Sequence, residues 1–416
     1  MARRRTHPRA EFARFLRTET TGGIVLLVAA AVAVLWANSA LGEGYMALRE
    51  TEIGPEALHL KLSIGDWAKD GMLALFFFVV GLELKRELIV GELSNVKAAA
   101  LPIVAAIGGM VVPALIALAI SWGEPGFEKT WAVPMATDIA FALGVLALTG
   151  RHLPSSARLF LLSLAVVDDL GAIIIIAVVF TASFSIIASA VAVASLLTYA
   201  TLQKLRVRSS WFYVPIAVVT WIAIHEVGIH ATIAGVALGL LTRVRPDPGE
   251  EEAPAIRLEH RLQPYSALVA VPLYALFAAG VPIDGDSLTE VFTGGIPLGI
   301  MTGLILGKLI GVVGFSALAV RFGLGKLPHR TNWRDLTALS VLGGVGFTVS
   351  LLIAELALPV DEFGSEVETA KSAVLIASVT ASLLAAAMLR GRNRAHAAKN
   401  QQEAGDGTQG NSTADG

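Results

Sequence analysis

The sequence predicts an all-α polytopic membrane protein with about twelve transmembrane helices. Three observations predict this class: a deficit of charge, repeated apolar runs, and basic residues confined to alternate loops. Of the 416 residues, 55% are hydrophobic and 16% are charged, and the mean hydropathy is +0.67. Soluble domains carry roughly 25% charged residues. The net charge of −2 argues against a nucleic-acid partner, and the lack of cysteine excludes disulfides, thiolate metal sites and cysteine nucleophiles.

Runs of about 20 apolar residues are long enough to cross a bilayer. Twelve such runs are predicted, at 22–38, 71–90, 97–121, 131–149, 157–181, 184–203, 211–226, 228–242, 262–282, 294–320, 335–358 and 370–390. Lysine and arginine cluster in every second connection, whereas the intervening loops are short or acidic. Because basic loops stay in the cytoplasm, this alternation predicts twelve spans with both termini cytoplasmic.

The segments outside the spans are assigned by composition. Residues 1–21 form a basic, cytoplasmic N-terminal segment, and no small-residue cleavage pattern follows the first apolar run, so this run is a membrane helix rather than a signal peptide. Between helices 1 and 2, Leu58–Ile64 alternates with period two, which predicts an extracytoplasmic hairpin at about 42–65 or a loop on the membrane surface. Residues 391–416 are polar and are expected to be disordered and cytoplasmic.

Asp168 and Asp169 are adjacent carboxylates near the middle of the fifth predicted span. A charged side chain there costs about 2.5–3.5 kcal/mol on insertion scales. Two such groups in a poorly solvated site do not both ionise readily, and a small hard cation relieves their repulsion. Protons and a cation would therefore compete for the same oxygens, which is an antiport mechanism in outline. An interhelical hydrogen-bonded pair is the structural alternative.

Asp138 is the second intramembrane carboxylate, and it follows Thr137 on a span that Pro134 should interrupt. A partner interruption is predicted at Gly343–Gly346 in the eleventh span. Interrupted helices in transporters place backbone ends at an ion site, although glycines alone equally favour close packing. Segments 3–5 and 10–12 would then form a repeat with inverted topology.

Other charged residues near the spans suggest ion pairs. Lys308 lies deep inside the tenth span, where it should pair with a carboxylate, while Glu355 should reach the membrane interface. Glu83 and Arg86 are three residues apart on one helix face and end their span on the same side as Glu259 and His260. This cluster is either a sensor of internal pH or an ordinary solvated helix end.

Two apparent enzyme motifs fail on spacing, so no enzymatic activity is expected. His225 and His230 are five residues apart rather than the four of a zincin helix. The segment from Gly303 to Lys308 is one residue too short for a phosphate-binding loop and lacks the following Ser or Thr.

Several long motifs in order resemble the NhaA family of sodium/proton antiporters, over about Arg14 to Arg390. The motifs are Gly81–Glu87, Ala136–Phe141, Leu164–Gly171, Gly228–Gly235, Leu258–His260, Gly307–Lys308 and Gly343–Thr348. The resemblance implies an NhaA-like fold with inverted repeats, crossed interrupted helices 4 and 11, and a homodimer joined through the hairpin at 42–65. It also implies that no cofactor is needed beyond transported Na+ or Li+ and H+.

The resemblance further implies specific residue roles. Asp168 and Asp169 would form the Na+/Li+ site, with Thr137 and Asp138 close by. Lys308 would pair with Asp168 when the ion is absent, and Asp138 would compensate the partial charges of the broken helix ends.

Residues linked to pH activation in the family fall at Glu83, Arg86, His230, Glu259 and His260. The family can carry a further histidine where this chain has Gln263, which does not titrate near neutral pH.

The resulting functional hypothesis is secondary active exchange of Na+ or Li+ for H+ across a prokaryotic plasma membrane, electrogenic and serving sodium and pH homeostasis. A sodium-coupled symporter of an organic solute on a similar fold is the main alternative. A channel is disfavoured because channels usually contain several copies of a pore unit. A membrane aspartyl hydrolase is disfavoured because adjacent aspartates on one helix point about 100° apart.

Overall fold

The computed structural model describes residues 8–56, 60–181, 185–247, 250–283 and 285–412, and this part of the chain is mostly helical. The helices of the first half are α1 Pro8–Ala37, α2 Gly42–Glu50, α3 Ile64–Asp66, α4 Leu73–Ile89, α5 Val96–Ile120, α6 Phe127–Thr130, α7 Ile139–Thr149, α8 Ser155–Val179 and α9 Ile186–Lys204. Those of the second half are α10 Ser210–Val227, α11 Thr232–Leu241, α12 Pro254–Tyr265, α13 Val271–Ala278, α14 Gly285–Thr293, α15 Gly295–Thr302, α16 Lys308–Arg321, α17 Trp333–Leu342, α18 Phe347–Ala357, α19 Val360–Phe363 and α20 Ser365–Ser412.

Within the described residues, seven helices are long and apolar enough to cross a membrane, or up to nine if each of two bent pairs is one span. Each of the twelve predicted runs contains helix, but three of them (71–90, 228–242 and 262–282) do not meet this length criterion. Helix α4 has 17 residues, α11 has 10, and a π-helical segment, Ser266–Ala270, separates α12 from α13. The all-helical architecture is therefore confirmed, and the count of twelve stays a prediction.

The predicted hairpin after the first helix is present but shorter than 42–65. Residues 42–50 form α2 instead of a strand, and only β1 (Glu52–Ile53) and β2 (Leu62–Ser63) pair, antiparallel, with Glu52 opposite Ser63. Helix α2 forms because its Tyr45 is fully buried and donates a hydrogen bond from Oη to the carbonyl oxygen of Leu276 at 2.8 Å. Residues 58 and 59 of the predicted strand lie outside the described part of the chain.

Both terminal segments continue the neighbouring helices. Helix α1 already starts at Pro8, and α20 runs to Ser412. The disorder expected of residues 391–416 stays a prediction. Adding residues to an existing helix avoids the cost of nucleation, and residues 395–404 are rich in alanine and glutamine, which favour helix. Side-chain contacts to Asp335 also hold the start of this extension, as described below.

Helices α5 and α16 pack at very short range beside the centre of the protein. A Cβ atom on Gly311 would lie 2.1 Å from the carbonyl oxygen of Gly108, so only glycine permits this approach. The close packing brings the first residue of α16, Lys308, into the interior. A π-helical turn at Gly303–Gly307 precedes it, and such turns frequently occur at functional sites.

Candidate functional site

Two interrupted helical segments meet in the interior. The first consists of α6, a 3₁₀ turn at Val133–Met135, an extended stretch and α7; the second consists of α17 and α18, which are bent by 48°. The backbone N–H of Asp138 donates to the carbonyl oxygen of Val345 at 2.7 Å, and the Thr137 hydroxyl oxygen lies 2.8 Å from the carbonyl oxygen of Gly343. The predicted interruptions near Pro134 and Gly343 are therefore present and in direct contact.

Asp138 joins the N-terminal ends of the two half-helices α7 and α18. Its Oδ1 accepts from the backbone N–H of Phe141 at 2.9 Å, and its Oδ2 accepts from the N–H and the hydroxyl of Thr348 at 3.1 and 2.6 Å. A helix N-terminus carries a partial positive charge, so one carboxylate between two of them is stabilised there. This geometry fits the charge-compensating role that the resemblance implies. The role of Asp138 as a cation ligand stays a prediction, because both oxygens already accept hydrogen bonds.

Asp168 lies between the first interrupted segment and α16. Its Oδ2 accepts hydrogen bonds from the Thr137 hydroxyl, at 2.7 Å, and from the Lys308 ammonium. The same ammonium donates to the carbonyl oxygen of Met135 at the end of the 3₁₀ turn. The side chains of Asp168 and Lys308 have no exposed surface. The structure thus brings together Thr137, Asp168 and Lys308 from three elements that are distant in sequence.

Asp169 is 2% exposed, and its Oδ1 atom has no hydrogen-bond partner among the described residues. The Oδ1 atom of Asp168 is also buried without such a partner. A buried acceptor left unsatisfied costs about 1–3 kcal/mol, and more when it carries charge. The negative charges of Asp168, Asp138 and Glu83 add repulsion at Asp169. A proton or a cation would relieve both costs.

The donor set is suited to a transported ion rather than to a tightly held metal. No three His, Cys, Asp or Glu side chains in the described ranges are grouped so that they could hold a metal ion. The oxygen atoms of Asp168, Asp169 and Thr137 are hard ligands, which suit alkali and alkaline-earth cations.

A cavity of about 350 Å³ borders α8, the helix that carries Asp168 and Asp169. It lies between the end of α4, the start of α5 and α8, and its lining includes Glu87, Asn95 and Ser163. Ser163 precedes Asp168 by five residues on α8, which is about 7.5 Å along the helix axis.

The predicted pH-linked residues do not form one cluster. At the end of α4, Arg86 lies 3.2 Å from Glu259 and 3.8 Å from Glu83, as the hypothesis of a charged cluster requires. His260 instead lies 3.9 Å from Glu252, with a side chain that is 46% exposed. His230 is separated from this group. It lies 3.5 Å from Asp70, which belongs to a π-helical segment (Trp67–Met72) before α4, whereas Glu83 and Arg86 lie near the end of α4.

Burial raises the pKa of Glu259, which lies outside the predicted spans, above its ordinary value of 4.5, and the nearby Arg86 charge offsets part of this rise. The protonated form is therefore favoured by folding, and this contribution to stability is fully present below pH 4.5 and is lost as the pH rises through the higher folded pKa. We expect the melting temperature of the wild type minus that of Glu259→Gln to be more positive at pH 4 than at pH 7.

Thermal unfolding in detergent at the two pH values tests this expectation. The matched control is Glu251→Gln, which makes the same chemical change at an exposed position eight residues earlier. If the melting temperatures of the wild type and Glu259→Gln differ by the same amount at pH 4 and pH 7, burial does not control the titration of Glu259.

A second buried ion pair escaped prediction from the sequence. Lys371 on α20 is 1% exposed, and its ammonium lies 3.1 Å from Glu355 on α18 and 3.8 Å from Glu368. Glu355 was expected to reach the membrane interface instead. Glu355 and Lys371 both lie near the ends of predicted spans, where a long charged side chain is normally expected to extend to the membrane interface. The only available signal was their opposite charge at the ends of consecutive spans.

Apolar helices, two interrupted segments in contact and a buried carboxylate–ammonium site define a secondary ion transporter of the multi-pass membrane class. Comparison with known proteins specifies the family. The chain belongs to the family described as Na+/H+ antiporter 1, whose model matches residues 13–389.

Relatives named as Na+/H+ antiporters match over nearly the whole chain. The chain is 58% identical to Na+/H+ antiporter NhaA 2 of Rhodococcus jostii, over 94% of this chain and 95% of that protein. It is 59% identical to Na+/H+ antiporter NhaA of Nocardia farcinica, over 95% and 94% of the two chains. It is 60% identical to NhaA 1 of Saccharopolyspora erythraea, over 92% of each. The family predicted from the motifs is confirmed.

Proposed function

We propose that this protein exchanges Na+ or Li+ for H+ across a prokaryotic plasma membrane, and thereby contributes to sodium and pH homeostasis. The observation that carries the proposal is the pair of buried carboxylate oxygens, one on Asp168 and one on Asp169, that have no hydrogen-bond partner within the described part of the chain and lie beside the Lys308 ammonium. Such a site is stabilised by a cation or by protons, and each excludes the other. The relatives named as Na+/H+ antiporters support Na+ and H+ as the exchanged ions.

In the proposed exchange, the carboxylate oxygens of Asp168 and Asp169 alternate between an ion-free state and a cation-bound state. In the ion-free state Lys308 neutralises Asp168, and Asp169 holds a proton. When a cation enters, Asp169 releases its proton and both carboxylates face the ion, so that Lys308 loses its partner and its own proton becomes easier to release. Release of two protons per monovalent cation would make the exchange electrogenic. Thr137, which already donates to Asp168, would turn its hydroxyl oxygen towards the ion.

The interrupted helices would supply the change in access. Their ends carry unpaired backbone dipoles at the site, and Asp138 would keep these charges balanced while the half-helices move. The alternation of basic loops orients both termini to the cytoplasm. In that orientation the cavity beside Ser163 and Glu87 would open to the cytoplasm.

Regulation and assembly extend the proposal. Glu83, Arg86 and Glu259 would couple cytoplasmic pH to the site through α4, while His260 and His230 would act, if at all, from separate positions. Two copies would pair through the β1–β2 hairpin. Transport would need the lipid bilayer and no cofactor, nucleic acid or chemical conversion of a substrate.

Proteoliposomes with a preset pH gradient test this function. Adding external Na+ or Li+ should dissipate an acid-inside gradient, as reported by a fluorescent pH probe, whereas choline should not. A membrane potential of either sign should change the rate if the exchange is electrogenic. Accumulation of an organic solute with sodium, without sodium-driven proton movement, would establish the symporter alternative instead.

A further inference from the structure

The start of the helical extension beyond the last predicted span contacts both interrupted segments. This C-terminal extension is defined here as residues 391–398 of α20. The Nε atom of Arg392 donates to Asp335 Oδ1 at 2.7 Å, and His396 Nε2 lies 3.1 Å from both oxygens of Asp335. On the other side, Asn393 Oδ1 accepts from the backbone N–H of His152 at 2.6 Å.

Asp335 connects the extension to α17, the first half of the second interrupted segment. Its side chain has no exposed surface, and it forms a reciprocal capping box with Asn332 at the N-terminus of α17, with hydrogen bonds of 3.0 and 3.1 Å. Arg392 and His396 are not needed for this cap. A buried carboxylate that caps one helix and pairs with side chains of another therefore ties the two together.

His152 connects the extension to α7, the second half of the first interrupted segment. It lies in the short loop between α7 and α8, two residues after Gly150, the C-terminal cap of α7. The opposite end of α7 begins directly after Asp138, and the opposite end of α17 reaches Gly343, whose carbonyl oxygen lies 2.8 Å from the Thr137 hydroxyl. The extension thus holds the outer ends of the two half-helices whose inner ends build the site.

We propose that the C-terminal extension, through the contact of Arg392 with Asp335, positions α17 and α7 and thereby sets the affinity of the site for its cation. Helices of about ten residues move as rigid rods, so fixing their outer ends limits the geometries available to Thr137 and Gly343 at the inner ends. Loss of the contact spreads the population over geometries that bind the ion less well. The inference rests on the exchange activity proposed above, because the affinity concerned is that for the exchanged cation.

The test is Arg392→Gln in the full chain, assayed for sodium-driven proton movement in proteoliposomes. We expect the apparent KM for Na+ to rise about fivefold, the lower end of typical coupling between distant sites, with the maximal rate within about twofold of the wild type. Arg392→Lys keeps the charge next to Asp335 and should restore most of the affinity. Arg394→Gln removes an exposed charge from the same extension and should leave KM unchanged.

Two further measurements separate positioning from a general loss of structure. Asp335→Asn keeps a capping side chain but loses the charge, and the double variant with Arg392→Gln should be no worse than Asp335→Asn alone, because the ion pair with Arg392 is already lost in that single variant. Hydrogen exchange of the peptide 333–342 should accelerate in Arg392→Gln and not in Arg394→Gln.

The outcomes are distinguishable. If wild-type proteoliposomes show no sodium-driven proton movement, the proposed function is wrong, and this inference falls with it. If the wild type exchanges but Arg392→Gln has an unchanged KM, or Arg392→Lys is as impaired as Arg392→Gln, only the positioning role is overturned.

Discussion

Replacing Asp169 by asparagine is expected to abolish sodium-driven proton movement, with a fall of at least about a hundredfold, comparable to removing a charged group that acts directly on a reacting centre. Asparagine has the same shape and keeps one acceptor oxygen, but it neither carries a negative charge nor exchanges a proton. Asp169 is 2% exposed and its Oδ1 lacks a partner in the described structure, so the substitution removes a burial cost and is compatible with folding.

The measurement is the rate of pH-gradient dissipation in proteoliposomes on adding Na+ or Li+. The matched control is Glu128→Gln, which makes the same change at an exposed position, and equal melting temperatures would show that both variants are folded. Calorimetry adds a direct readout: Li+ binding to the wild type should release protons, so its heat should depend on the ionisation enthalpy of the buffer. If the Asp169→Asn variant still exchanges ions at the wild-type rate, the cation does not bind at Asp169.

The sequence was sufficient to single out the buried charged residues of the candidate site, because a charge is conspicuous within an apolar run. Asp168, Asp169 and Lys308 stand alone in long apolar runs, and Pro134 marks the interruption next to Thr137. A charge in the middle of a span needs a partner, and few partners exist at that depth. The spacing of residues in the sequence did not predict one contact that the structure shows. The hydroxyl of Thr137 contacts both Asp168 and the second interrupted segment.

Contacts at the ends of spans were not predictable in the same way. Lys371 and Glu355 lie near helix ends, where a long side chain reaches water as easily as a buried partner. His230 and Glu259 both lie near span ends, but only the three-dimensional arrangement shows that His230 contacts Asp70 while Glu259 contacts Arg86. The composition of the tail predicted disorder because its polar residues cannot form a core, whereas its first turns dock on Asp335.

Replacing Lys308 by methionine tests the central ion pair and is expected to lower stability strongly. The Lys308 ammonium and Asp168 are both fully buried, and removing one partner of a buried pair costs about 3–5 kcal/mol because a charge is left uncompensated. The double variant Asp168→Asn with Lys308→Met removes both charges and should recover most of the loss. Melting temperatures in detergent at one fixed heating rate provide the comparison.

The pH dependence of the same variants gives the sign of the effect. In Lys308→Met the Asp168 carboxylate has lost its counter-charge, so it takes up a proton more readily, and the deficit in stability should shrink as the pH falls. The double variant has no carboxylate at this position and should show no such recovery. For the same reason, any residual exchange by Lys308→Met should reach half of its maximal rate at a higher pH than in the wild type.

Lys326→Met provides the control, because Lys326 is exposed and the substitution makes the same chemical change away from the site. Two results would contradict the pairing: a double variant that is as unstable as the sum of the single variants, or a Lys308→Met protein whose exchange has the pH dependence of the wild type. Either result would mean that the ammonium and the carboxylate act independently, and competition between cation and proton would then have to be assigned to Asp169 alone.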